Sequence, residues 1–138
     1  MIANWSITDL PGLKDPEQSI LLSLGITTTS ELLSLTPDAT SKQKLAANLR
    51  TKVQYVNKLV ALADLARLPS VGCKYNGLLL HTGVISVSQL AQIPAHQLHQ
   101  QLVRLHVSTL QRRDLCPGIA NVNTWIQEAQ QLINLSEI

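Results

Sequence analysis

Leu65-Ala66-Arg67-Leu68-Pro69-Ser70-Val71-Gly72-Cys73-Lys74-Tyr75-Asn76-Gly77-Leu78-Leu79-Leu80-His81-Thr82-Gly83 is the stretch whose reading decides the fold. An apolar helical run stops at Pro69, which lacks the amide that a continuing helix needs. A second helix begins a few residues later. Between them lies Pro69-Ser70-Val71-Gly72, in which Val71 points inward and Gly72 can take the positive φ of a tight reversal.

The stretch occurs twice. A shift of 58 residues brings Leu10-Pro11-Gly12-Leu13 onto Leu68-Pro69-Ser70-Val71, and Ile20-Leu21-Leu22 onto Leu78-Leu79-Leu80. Gly25 then falls on Gly83, Ile26 on Val84 and Leu32 on Leu90. Thr28 with Glu31, and Ser86 with Gln89, put a capping box at the same place in both copies. A gapless register of this length marks an internal repeat. Two copies are too few for a solenoid. The expectation is one domain over 1–138 with pseudo-two-fold symmetry, repeat one at about 7–60 and repeat two at about 65–135.

Composition bounds the class. A chain of 138 residues can bury a real core, and 45% hydrophobic residues exclude disorder. No apolar run reaches membrane-spanning length. Met1-Ile2-Ala3-Asn4-Trp5 has no basic n-region and no apolar h-region, so export is not expected. Cys73 and Cys116 make no disulfide framework, and the expected location is cytoplasmic. With no Phe and 3% aromatics, the core must be aliphatic. A net charge of +2 falls short of what a dedicated duplex-binding protein carries.

In order along the chain, Trp5 and Ile7 are expected to pack on the first reversal. Asp15 can cap a helix that has Pro16 at its first position and ends at Gly25. A short helix over about 30–35 follows, closed by Pro37. Thr40 with Gln43, and Thr51 with Gln54, are further capping boxes. The second of these opens the longest helix, about 52–67, with Val53, Val56, Leu59, Val60 and Ala63 at helical spacing. This helix is the expected central post. Helices are expected over 95–105 and 108–115, then an incomplete third reversal at Cys116-Pro117-Gly118-Ile119. Trp125, Ile126, Ala129, Leu132 and Ile133 give the apolar stripe of a closing helix. No stretch alternates with period two, so the class is all-α.

The Pro69–Gly72 reversal resembles the helix-hairpin-helix motif, whose loop reads Pro-Gly-(Ile/Val)-Gly with a small residue five positions after the second glycine. Gly77 stands at that place and would let two helices approach closely. Ser70 replaces the first glycine. The resemblance implies that loop amides and the start of the second helix can hold a nucleic-acid phosphate, as helix N-termini do. Over 7–132 the order of hairpin, Gly-Ile-Thr-Thr, basic segment, hairpin, Gly-Val-Ile-Ser-Val-Ser-Gln-Leu-Ala and Trp-Ile-Gln-Glu-Ala is similar to one uncharacterised bacterial family. That family is domain of unknown function four-three-three-two, a relative of tandem helix-hairpin-helix domains. It implies a fold and names no activity.

The candidate nucleic-acid contacts follow. In the first turn they are Gly12, Leu13 and Lys14; in the second, Ser70, Val71, Gly72, Cys73 and Lys74. Lys14 occupies the second-glycine place of the first turn, and Asp15 brings negative charge to the helix start. The second turn, with Gly72 and Lys74, is therefore expected to matter more. The plain alternative is that both turns only reverse the chain. Lys42, Lys44, Arg50, Lys52 and Lys58 lie in 39–63, a stretch with no Asp or Glu. Such a run is either a solvated face or a backbone-binding stripe. Arg104, His106, Arg112 and Arg113 form a second cluster, offset by Asp114. Tyr55 is the sole aromatic residue of the first cluster, which offers little for base stacking.

His96 and His99 stand three apart, but with His106 and Cys116 they match no zinc spacing, so neither metal nor other cofactor is expected. Cys73 beside Lys74 could be a reactive thiol, though such a cysteine is more often a small buried residue. The carboxylates are scattered, and no nucleophile elbow, Walker loop or dinucleotide fingerprint occurs. An enzyme is not expected. The expected function is weak, sequence-independent binding of duplex DNA. The alternative is a protein-interaction scaffold with a protein partner and purely structural hairpins. Neither reading involves a membrane or a small-molecule substrate.

Overall fold

Leucine, isoleucine, valine and alanine, with the single indole of Trp125, fill the interior, and they fill it in two places. The computed structural model describes residues 3–109 and 117–136. One core gathers Ile7, Leu21, Leu32, Leu49, Val56 and Leu59. The other gathers Leu68, Leu79, Leu90, Leu98, Leu102 and Trp125. Removing a fully buried leucine such as Leu32 or Leu90 would cost about 2–5 kcal/mol, from lost transfer energy and the cavity left behind.

Eight helices supply these side chains among the described residues: α1 (Asp15–Ser23), α2 (Thr29–Leu35), α3 (Ala39–Leu49), α4 (Val53–Leu65), α5 (Gly72–His81), α6 (Val87–Leu90), α7 (Ala95–Thr109) and α8 (Ile119–Ser136). A 3₁₀ turn at Ile7–Asp9 precedes them. No strand occurs among the described residues; Ser6 and Thr28 form a lone antiparallel bridge. The fold is all-α. Helix α4 packs on α2, α3 and α5, while α8 packs on α6 and α7. Leu59 and Leu62 of α4 enter the first core and Leu65 the second, so one helix serves both.

Two helix ends 58 residues apart, after α1 and after α5, close in the same way. Leu24 caps α1, Gly25 follows at φ +85°, and the Ile26 amide donates to Leu21 O at 2.9 Å. Thr82 caps α5, Gly83 follows at φ +97°, and the Val84 amide donates to Leu79 O at 3.1 Å. In each, the residue after the glycine shares a core with the acceptor residue, the hydrophobic contact of a Schellman ending. Thr28 accepts from the Glu31 amide and Ser86 from the Gln89 amide. The Glu31 and Gln89 side chains reach back one residue further than a standard box, to the Thr27 and Ile85 amides.

Three expected caps differ. Helix α1 starts at Asp15 itself, with Lys14 in the cap position and no side-chain cap bond, so Pro16 is the second helical residue. Helix α3 is capped by Asp38, not Thr40: Asp38 accepts from the Ser41 amide at 2.8 Å and Ser41 Oγ takes the Asp38 amide. This reciprocal box starts the helix earlier and satisfies two end amides at once. Lys52 precedes α4 without a side-chain cap bond, so Thr51 and Gln54 form no box. The expected helix over 108–115 and Cys116 of the third reversal fall largely or wholly outside the described residues.

The lead-in segment joins the two halves. Ile7 is buried in the first core as expected, but Trp5 lies across to the second turn. Its Nε1 donates to Ala66 O at 2.7 Å, and the Ala3 amide donates to Arg67 O at 2.8 Å. On the other side the Thr29 amide donates to Trp5 O at 2.9 Å. The indole goes there because Gly72 offers a face without a side chain.

Candidate functional site

The two turns share a sequence pattern but are closed in different ways. In the first, Gly12 is exposed at φ +78°, and a Cβ placed on it would lie 3.5 Å from Lys58 Nζ. Tyr55 spans the turn: its hydroxyl donates to Gly12 O at 3.1 Å and accepts from the Lys14 amide at 3.2 Å. Lys14 Nζ stands 6.0 Å from the centre of the Tyr55 ring, the outer limit of a cation–π contact. Among the described residues the Gly12 and Leu13 amides meet no acceptor. Lys58 Nζ and two amides without an acceptor thus stand at an exposed glycine, with the Lys14 ammonium on the Tyr55 ring that spans the turn. Asp15 and Glu17, in the first turn of α1, oppose an anion there.

The second turn is filled from within. The Ser70 amide donates to Glu128 Oε1 at 3.0 Å, and Ser70 Oγ bonds the other carboxylate oxygen. The Val71 and Gly72 amides donate to Leu68 O at 3.1 and 2.9 Å. Val71 is buried, as its inward position required, and Gly72 has the expected positive φ, +50°. Gly72 is itself buried, however, and a Cβ on it would sit 2.6 Å from Trp5 Cζ2. A carboxylate and an indole therefore take the space through which a phosphate was expected to reach this turn. Only Lys74, exposed with Nζ 5.1 Å from the Tyr75 ring centre, keeps the anticipated character. Gly77 faces Pro11 of the first turn, whose Cγ would lie 3.5 Å from an added Cβ, so its smallness seats one turn on the other half's helix.

The basic segment does not form one stripe. Lys42 and Lys58 line an open groove of about 940 Å³ between α3, α4 and the residues leading into α6. Lys44 lines a separate recess of about 260 Å³ with Leu24, Ile26 and Leu35. Arg50 is exposed at the end of α3 in the left-handed region, φ +54°, and Lys52 is exposed before α4. Arg67 is paired with Asp64 at 2.7 Å, and the second Asp64 oxygen accepts from the Val87 amide. Arg112, Arg113 and Asp114 of the second basic cluster, with the His106 side chain, lie outside the described residues.

Other candidates resolve plainly. Burial, and after it the charge of Asp9, push the Cys73 thiol up to about 11, which leaves it protonated and unreactive at neutral pH. The His96 ring meets Gln100 Nε2 at 3.1 Å. Among the described residues no three His, Cys, Asp or Glu side chains converge to hold a metal ion, and no helix is long and apolar enough to cross a membrane. Tyr55 and Glu128, which decide much of the state of the two turns, were not singled out in the sequence as turn contacts, and Trp5, expected on the first reversal, packs on the second.

The model of one protein family, described as Domain of unknown function (DUF4332), matches residues 11–132. No curated protein and no solved structure matches the chain.

Proposed function

The chain belongs to the DUF4332 family, and from its own geometry we propose a non-enzymatic, cytoplasmic module that binds duplex DNA weakly and without sequence preference. The two turns are read as helix-hairpin-helix loops in tandem, related by a pseudo-two-fold axis. The observation that carries the proposal is the first turn. Its exposed Gly12, with Lys14 and Lys58 at its rim, suits a single backbone phosphate. One such contact plus scattered cations gives low affinity, with a dissociation constant on the order of 10⁻⁴–10⁻⁶ M near physiological salt.

Fluorescence anisotropy on a labelled random duplex across a salt series tests this. Lys14→Glu and Lys58→Glu should each weaken binding several-fold and flatten the salt slope by about one phosphate contact. Asp15→Asn should leave binding unchanged or tighten it. Lys74→Glu should do less than Lys14→Glu, because the second turn is occupied by Glu128. A flat titration at high micromolar protein in low salt would remove the DNA reading. The closed second turn is the specific observation favouring the other reading, a protein-interaction scaffold in which the hairpins are structural.

A further inference from the structure

We infer that the groove between α3, α4 and the segment leading into α6 docks an extended acidic segment of a partner protein, anchored by aliphatic side chains. The inference shares Lys58 with the proposed phosphate contact of the first turn and is otherwise independent of it, because the apolar half of the groove plays no part in that contact. Three cationic side chains, Lys42, Lys58 and Arg67, line the groove against one carboxylate, Asp64. Both oxygens of that carboxylate are engaged, one by Arg67 Nη2 at 2.7 Å and one by the Val87 amide at 2.8 Å. Lys42 and Lys58 form no ion pair among the described residues. The groove therefore presents uncompensated positive charge.

Charge alone would suit any anion; the rest of the lining narrows the class. Val60, Ala61, Leu80 and Ile85 contribute apolar surface. Ile85, at 59% exposure, is the most exposed large hydrophobic side chain among the described residues, and it stands at this groove. Gln54 and Asn57 add carboxamides that can both donate to and accept from an extended main chain. A peptide with carboxylates beside an aliphatic residue satisfies all three features. Nucleic acid can use the charge and the carboxamides but not the apolar surface, since no aromatic ring lines the groove to stack a base and phosphates gain nothing from Leu80 or Ile85.

The probe is a fluorescein-labelled peptide, Glu-Asp-Glu-Leu-Leu-Glu-Asp-Glu, titrated with the full chain at low salt. Its control carries serine in place of both leucines. Submillimolar binding is expected, about tenfold weaker for the serine control. Ile85→Ser should cause a loss of similar size, and Lys42→Glu should weaken binding several-fold with a smaller salt dependence. Ile85 is exposed and Lys42 half-buried, and circular dichroism checks the folding of both variants. Backbone amide shifts in nuclear magnetic resonance should move at Val60, Leu80 and Ile85. The inference fails if the peptide does not bind up to millimolar concentration, or if the serine control binds equally well. It also fails if Ile85→Ser binds like wild type, or if the same shifts move with protein concentration alone, which would assign the groove to a second copy. Displacement of the peptide by duplex DNA at lower concentration would assign it to nucleic acid instead. Ile85→Ser should not alter duplex affinity and Lys14→Glu should not alter peptide affinity, so the two readings fail separately.

Discussion

Replacing Gly72 by alanine tests the joint between the two halves most directly. The backbone there has φ +50°, where an L-residue costs about 1–2 kcal/mol relative to glycine. The added Cβ would meet Trp5 Cζ2 at 2.6 Å, Cη2 at 3.1 Å and Cε2 at 3.3 Å. The indole cannot swing aside freely. Its Nε1 is bonded to Ala66 O at 2.7 Å, and the Trp5 main chain is held by Thr29. Overpacking against a ring so fixed costs about 1–3 kcal/mol. Together the two effects predict a loss of about 2–5 kcal/mol, a large share of the roughly 5–15 kcal/mol typical of a folded domain. For a chain of this size that is a fall in Tm of roughly 6–20 °C.

Thermal and urea unfolding followed by far-ultraviolet circular dichroism would measure it, with Gly25→Ala as the internal control. Gly25 has φ +85° but no atom within 4 Å of an added Cβ, so it should lose only the conformational part, about 1–2 kcal/mol. A double-mutant cycle with Trp5→Ala separates the contributions. In the Trp5→Ala background the cost of Gly72→Ala should fall to the Gly25→Ala value. If Gly72→Ala and Gly25→Ala cost the same in the wild-type background, the indole is not what confines Gly72, and the account of the joint is wrong.

Two further outcomes rest on titration. Glu31 is held below 4.5 first by the Thr27 hydroxyl, and Asp38 below 3.8 first by the Ser41 amide. Both folded values lie under the unfolded ones, so the stability they contribute is present above those values and is lost as pH falls through the folded ones. The variant Glu31→Gln with Asp38→Asn should therefore show a shallower drop in urea midpoint between pH 7 and pH 3 than wild type; an identical drop would contradict the cap assignments. For Cys73 the sign is reversed: the folded value is raised from 9.0 to about 11, so its contribution is present below 9.0 and is lost as pH rises towards 11. In a Cys116→Ser background at pH 8, the raised value leaves less thiolate, so iodoacetamide should label Cys73 far more slowly than a free thiol. Labelling at the free-thiol rate would show that the residue is not buried as described.

What the sequence disclosed about the fold was carried by signals a few residues long. Gly25 and Gly83 follow apolar helices and precede Thr28 and Ser86, and each glycine ends its helix as that pattern requires. The caps of α1, α3 and α4 were misplaced for a related reason. Around 36–43 several polar side chains can serve as a cap, and local pattern cannot rank Asp38 with Ser41 against Thr40 with Gln43. The choice goes to the start that bonds both ends of the box, which is a property of geometry and not of residue type.

The difference between the two turns lay beyond such signals because what closes each comes from far along the chain. Tyr55 reaches the first turn from 41 and 43 residues away, and Glu128 reaches the second from 58. Neither side chain carries a mark of its destination. One local sign did exist, at Ser70. In sequence it is a departure from the pattern, a hydroxymethyl group where a glycine would leave backbone amides open. In the structure that hydroxyl supplies the second bond to the Glu128 carboxylate, beside the bond from its own amide. A glycine there could offer the amide alone. The residue that makes this turn a poor phosphate site is thus the one that lets an internal carboxylate occupy it, and α8 is tied to the 68–72 turn by that exchange. The first turn, with its glycine at position 12, meets no such internal anion among the described residues; it is spanned by the Tyr55 hydroxyl, and Gly12 remains exposed.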